Sequence, residues 1–275
     1  MLMRVSEFSY GPVTPALGFA MSFLGAFLGL RCATRARACG DWARGRWLLL
    51  AGICLGLGCV WVGHFIDMLG LTVPGETVRY SVPETLASAL LVVVVTCAGL
   101  FLTGSSGRGG ALVLGGLLVG LGIASMHYTG MAAVRMPGAV SYNPAWLLAS
   151  AAIAVAGGIA ALWSVLRLRG IWPTVGASLI TAAAVAGMHY AGMTAMHMTA
   201  MPTGMHMTDH HTTMAVGGAT PEGFVLPVVV VICILTFLIA FVVALAPTED
   251  EIREDAVLLA RFAELERRFR EGSRV

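Results

Sequence analysis

The chain has no lysine; all 17 of its basic residues are arginine. Charged residues of either sign make up only 12% of its 275 positions, against 57% hydrophobic. That balance excludes an ordinary soluble domain and implies a polytopic membrane protein. A net charge of +2 points to no nucleic-acid partner. The six cysteines (Cys32, Cys39, Cys54, Cys59, Cys97, Cys233) form no C-x-x-C pair. They read as buried small apolar residues or cytosolic thiols, not as a disulfide framework. No cleavable signal peptide is expected from the opening residues. The first apolar run is preceded by Glu7, Tyr10 and prolines, where a basic n-region would stand. Arginine without lysine, beside abundant alanine and glycine, suggests a GC-rich bacterial genome.

What is present is a series of long apolar runs. A helix needs about 20 apolar residues to cross a bilayer core. Seven segments qualify: 12–30, 47–70, 84–103, 111–134, 145–166, 173–197 and 223–246. The expected fold is therefore all-α, a polytopic bundle of seven transmembrane helices. The loop at 31–46 carries Arg31, Arg35, Arg37, Arg44 and Arg46, and the third and fifth loops carry Arg108, Arg167 and Arg169. The alternate loops carry only Arg79 and Arg135. Arginine bias puts the odd-numbered loops in the cytoplasm, the N-terminus outside and the C-terminus inside, in a bacterial inner membrane. Tyr80, Tyr142 and Trp146 suit the outer aromatic belt.

The even-numbered helices repeat one another. "WVGHFIDMLG" holds His64, "ASMHYTGMAA" holds His127 and "AGMHYAGMTA" holds His189. The intervals are nearly equal and each contains two helices. The first six helices thus read as three parallel helix hairpins, about 12–72, 84–136 and 145–200, with a seventh helix (223–246) closing the set. A short segment, 1–11, precedes the 12–246 domain, and a charged tail, 247–275, follows it. His64 is 17 residues past Trp47, about 25 Å at a rise of about 1.5 Å per residue. All three imidazoles should lie in the outer leaflet, within a hydrocarbon core about 30 Å thick.

Each motif pairs a histidine with a methionine one turn on: His64/Met68, His127/Met131 and His189/Met193. That spacing puts a ring nitrogen and a thioether on one face. Met126 and Met188 precede the second and third histidines, and Gly130 and Gly192 allow close helix approach. A lone membrane histidine often serves only as an interhelical hydrogen-bonding lock. Three at equivalent depth, each with its methionine, favour metal ligation. Imidazole with thioether is a soft set that selects copper, Cu(I) above all, over zinc or magnesium. Haem is the rival cofactor, since His and Met are both axial ligands. Asp67 stands where the other repeats have glycine. It is expected to orient a histidine or balance a cation, with Tyr128 and Tyr190 in the same supporting layer.

The sixth loop, 198–222, adds a second signal. Met196, His197, Met198, Met201, Met205, His206, Met207, His210, His211 and Met214 give a flexible, low-charge ligand set that suits copper capture outside the membrane.

These residues resemble the MHYT domain, a bacterial integral-membrane sensory module. "MHYTGM" at 126–131 matches its motif fully, "MHYAGM" at 188–193 has Ala191 for threonine, and "GHFIDM" at 63–68 is a weaker copy. The resemblance implies motifs near the outer face and a copper site that senses a diatomic gas such as O2, CO or NO. Relatives are often fused to cyclic-di-GMP enzymes or kinases. The residues after Ala246 carry no catalytic signature, so the chain is expected to be a sensor rather than an enzyme, signalling through a separate partner. Copper capture or transport, and a copper or haem membrane oxidoreductase, are the competing readings. In the tail, Thr248 and Glu251 have capping-box spacing. Leu258, Phe262, Leu265 and Phe269 form a short a/d seam, for a homodimer or a signalling partner through 248–271.

Overall fold

In lipid every backbone polar group must be satisfied internally, so apolar runs of this length become helices. The computed structural model describes residues 8–73, 77–106, 109–135, 139–199, 217–247 and 249–272. It contains seven helices long and apolar enough to cross a membrane. These are α1 (Val13–Ala36), α2 (Asp41–Leu69), α3 (Val82–Ser106), α4 (Gly109–Ala132), α5 (Pro144–Arg167), α6 (Ile171–Ala195) and α7 (Pro221–Leu245). An eighth helix, α8 (Glu249–Gly272), forms the tail. The chain is a multi-pass, all-α membrane protein. Thr248, the expected cap of α8, lies outside the described residues.

Helices α1 to α6 pack in chain order, and α6 returns to α1, so the ring closes on itself. The seventh helix completes the set from outside this ring: α7 packs against α1 and α2, with only 22% of its span buried. α2 is the most enclosed, 78% buried. α1 lies very close to it, because Gly18, Ser22, Gly25 and Gly29 face Asp67, Gly63, Cys59 and Leu55. Small residues on one helix face allow such an approach, which dispersion then stabilises. The motif's missing methionine is explained here. A side chain at Gly63 would run into the Ser22 hydroxyl.

Within α2, Cys54–Trp61 is π-helical, its last N–H reaching from Val62 to the Leu57 carbonyl. The wider turn changes the phase of the helix just before His64.

The two ends of the bundle are built differently. At the histidine end the chain forms short antiparallel ladders. β1 (Arg79–Tyr80) pairs with β2 (Val134–Arg135), and β3 (Ala139–Tyr142) pairs with β4 (Met196–Thr199). Helix six was expected to reach 197 and helix four 134. Both stop two residues early, because those residues enter a ladder that satisfies their backbone groups. Tyr80 also departs from expectation. It is fully buried rather than in an aromatic belt, and its hydroxyl donates to the Met68 carbonyl at 3.1 Å. Burial pushes its phenol well above the usual range.

At the other end, arginines close helix C-termini. Arg35 donates to the Ala246 and Pro247 carbonyls (3.0 and 2.9 Å) after α7. Arg37 donates to those of Leu166 and Leu168 (2.7 and 2.9 Å) at the end of α5. Arg44 donates to the Gly104 carbonyl near the end of α3. Helix C-terminal carbonyls have no partner within their own helix, and cationic donors supply one.

Candidate metal centre

His64, His127 and His189 are 1%, 0% and 2% exposed. The hairpin repeat sets them at one depth on α2, α4 and α6, and closure of the ring turns them toward one another. Nδ1 of His64 lies 2.9 Å from Nδ1 of His189 and 3.3 Å from Nδ1 of His127. The ring centroids are 4.9, 5.0 and 5.4 Å apart, and the planes meet nearly edge to face. The candidate donor atoms all fall within 4.8 Å of one another, and among the described residues this is the one such cluster of histidine, cysteine and carboxylate groups.

Three imidazole nitrogens aimed at one point bring their lone pairs together, which needs something positive between them. A neutral imidazole has one N–H, so hydrogen bonds can relieve the repulsion only in part. A cation relieves it for all three. Nitrogens about 2.0–2.1 Å from a shared first-row ion stand about 3.4 Å apart. The two separations from His64 Nδ1, 2.9 and 3.3 Å, are near that, and the whole set lies within 4.8 Å, so the donor set fits a metal. Met68, Met126, Met131, Met188 and Met193 are all buried as well.

The supporting residues lie around the triad. Asp67 reaches a histidine of another motif. Its Oδ2 lies 3.9 Å from Nε2 of His189, in the third repeat. Tyr128 and Tyr190 set their rings edge-on to His127 and His189, each with centroids 5.0 Å apart. The Tyr128 hydroxyl pairs with Ser150 Oγ at 2.6 Å, and the Tyr190 ring stacks on Phe8. Gly130 and Gly192 do more than admit a neighbouring helix. A Cβ at Gly130 would stand 2.8 Å from Nε2 of His64, and one at Gly192 would run into the His127 ring.

Of the outer capture set, Met196, His197 and Met198 lie in β4, where Ser141 is opposite His197. The His197 Nδ1–H donates to the Ala195 carbonyl at 3.1 Å, apart from the triad. Met201, Met205, His206, Met207, His210, His211 and Met214 lie outside the described residues.

Beneath the triad is an apolar cavity of about 30 Å³, measured to the centre of a water-sized sphere. Val60, Ile123 and Val185 line it, and each stands one turn before its motif histidine. Met188 borders it too. The hydroxyls of Thr96 and Thr181 in its wall donate to carbonyls such as Val92 and Ala177. Nothing in the sequence marked this space, because it arises from small residues on α5 meeting four other helices.

The comparisons with known proteins agree with this architecture. The family described as "MHYT: Bacterial signalling protein N terminal repeat" matches residues 56–116 and 120–178. Over 92% of its length the chain is 34% identical to a Pseudomonas aeruginosa protein named bifunctional diguanylate cyclase/cyclic di-GMP phosphodiesterase MucR. Over 71% it is 34% identical to the cyclic di-GMP phosphodiesterase NbdA of the same organism. An uncharacterized signaling protein of Caulobacter vibrioides is 33% identical over 64% of the chain. The chain spans 36%, 25% and 22% of these relatives' own lengths. What it shares with them is the repeat-bearing membrane region, not a catalytic domain. No solved structure matches the chain.

Proposed function

The chain belongs to the MHYT family of bacterial signalling proteins, and from that premise we propose that it is a copper-binding membrane sensor of a diatomic gas. The observation that carries this reading is the convergence of three buried Nδ1 atoms at 2.9 and 3.3 Å. His64, His127 and His189 would hold the ion, with Met68, Met131 and Met193 as soft donors and Met126 and Met188 beside them. Imidazole and thioether favour copper, and a buried, low-charge site favours Cu(I). Reduced copper offers a coordination position to O2, CO or NO. Haem suits the geometry less, because no porphyrin plane passes between imidazoles whose nitrogens nearly touch.

The apolar cavity one turn below supports a neutral stimulus. Such a space stays dry and accepts small apolar molecules, not ions. The arginine end is assigned to the cytoplasm, where its anionic lipids and the tail's partner would be. The relatives' names attach cyclic di-GMP chemistry to longer proteins. For this chain, output would pass through α7 and α8 to a partner.

The test is copper content and absorption of the purified protein, then of His64→Ala, His127→Ala and His189→Ala. Each variant is expected to insert normally and to lose tight copper binding by a large factor. A Soret band in the native protein would replace copper with haem. A variant with unchanged affinity and stoichiometry would make that histidine an interhelical lock. The methionine-rich stretch after α6 favours copper capture as the second reading, and copper flux into vesicles would establish it.

A further inference from the structure

The three repeats grip one another in a cycle. The position three residues after each motif histidine holds Asp67, Gly130 or Gly192. In each repeat that position lies against the histidine of another repeat. Gly130 of the second repeat lies against Nε2 of His64 in the first, and Gly192 of the third lies against Nε2 of His127 in the second. Asp67 of the first lies against Nε2 of His189 in the third. Two of the three contacts are therefore with bare backbone, and the last is with a carboxylate. His64 Nε2 and His127 Nε2 find no hydrogen-bond partner among the described residues. His189 Nε2 alone has an acid beside it, 3.9 Å away, with both groups buried.

We propose that Asp67 is a positioning residue for His189 that breaks the three-fold equivalence of the cluster. A neutral imidazole carries its proton on one nitrogen, and the group facing the other nitrogen decides which. A lone pair on Nε2 would face the carboxylate oxygen across an apolar interior. An N–H there is attracted instead. The separation is longer than a hydrogen bond, so the preference is electrostatic, and low polarity around the pair strengthens it. With its proton on Nε2, His189 turns the Nδ1 lone pair inward. His189 is then the permanent acceptor of the triad. The 2.9 Å contact with His64 follows, with His64 Nδ1–H as donor when no cation is present. His64 is also the one within 3.3 Å of His127, so a single proton at the centre of the cluster belongs to His64.

The two glycine positions cannot do this. They hold the other rings by contact alone and set no charge beside Nε2. On the copper reading, on which this second step rests, Asp67 adds one negative charge beside a monovalent ion. It also keeps one ligand correctly protonated before the ion arrives. Partners of this kind typically change metal affinity by about 10–100-fold.

The test uses the full chain in nanodiscs, labelled with 15N-histidine and stripped of metal. Ring signals are assigned by the loss of one set in His189→Gln. His189 is expected to be the Nε2–H tautomer in the native protein, and to become a mixture, or Nδ1–H, in Asp67→Gly. In Asp67→Asn, which keeps an acceptor oxygen without the charge, the shift should be intermediate. Identical His189 signals in the native protein and in both variants would overturn the proposal. If Asp67→Gly does not insert, Asp67→Asn decides alone by the same comparison. A Cu(I) competition titration follows. Asp67→Gly should bind 10–100-fold more weakly at unchanged stoichiometry, and equal affinity would overturn the second step. A native protein that takes up no copper would sink the copper reading, while the ring signals would still decide whether Asp67 positions His189.

Discussion

Gly130 and Gly192 each lie against the imidazole of another repeat, and neither contact leaves room for a methyl group. The rings cannot retreat, because each is edge-packed on the other two and on an aromatic neighbour. Gly192→Ala should therefore turn His127 away from the common centre, and Gly130→Ala should do the same to His64. We expect at least about a tenfold loss of copper affinity from either, as typically follows when a ligand loses its orientation. Membrane insertion and yield should be normal. A calorimetric or chelator-competition titration reads this directly, and native affinity in Gly192→Ala would mean that the His127 ring is not part of the site. Tyr80 offers a milder probe. Removing its hydroxyl with Tyr80→Phe deletes the bond to the Met68 carbonyl, at a cost of about 1 kcal/mol in thermal stability. Copper binding should be unaffected, because the hydroxyl meets backbone and not the triad.

At the scale of elements, the helices end in ways that divide the labour between the two faces. The arginines at the end of α1, after it and at the start of α2 read, in sequence, as a topological signal. In the fold three of them complete the C-termini of α3, α5 and α7. Arg35 grips the joint between α7 and the tail helix and lies over the Trp47 ring. Arg35→Ala should free that joint, with a loss of about 1.5–3 kcal/mol for each of two charged hydrogen bonds. Limited proteolysis is the measurement: cleavage near residue 247 should speed up several-fold while cleavage at the histidine end stays slow. The cavity gives a second test at this scale. Val185→Phe fills the space under the triad from α6, costing about 1–3 kcal/mol by overpacking. Copper should still bind, and any spectral response to CO should weaken. A full CO response in the filled variant would remove the cavity from the sensing route. The tail helix itself leaves Leu258, Phe262 and Leu265 exposed, which is the surface a dimer or signalling partner would cover.

For the whole molecule, orientation decides which compartment meets the histidines. Reporter fusions after residue 40 and at the C-terminus should read cytoplasm, and fusions near 140 and 208 should read the outer side. A cytoplasmic signal at 208 would invert the protein and place the triad in the inner leaflet. The two regions proposed to bind copper should also separate. Deleting residues 200–214 removes numerous, interchangeable ligands while the triad stays on packed helices. The deletion should abolish weak copper equivalents and slow loading at scarce copper, and one tight equivalent should survive in a metal titration. Loss of all copper from a folded deletion would transfer the site to the outer segment.

The sequence alone determined the seven spans, the three-hairpin repeat and the common depth of His64, His127 and His189. These depend on the length and spacing of apolar runs, which act locally and tolerate neither charge nor irregular backbone in lipid. It also marked Asp67 as the odd member of its set. Which histidine Asp67 would serve was not legible, nor that Nδ1 rather than Nε2 would face the centre. Tyr80 looked like a belt residue, and the arginines like a charge count. Each of those outcomes is a contact between helices far apart in the chain, fixed only when small residues let particular faces meet. The closing of α6 onto α1 turned three equivalent histidines into one cluster, and the same closing carried Asp67 past its own histidine to His189.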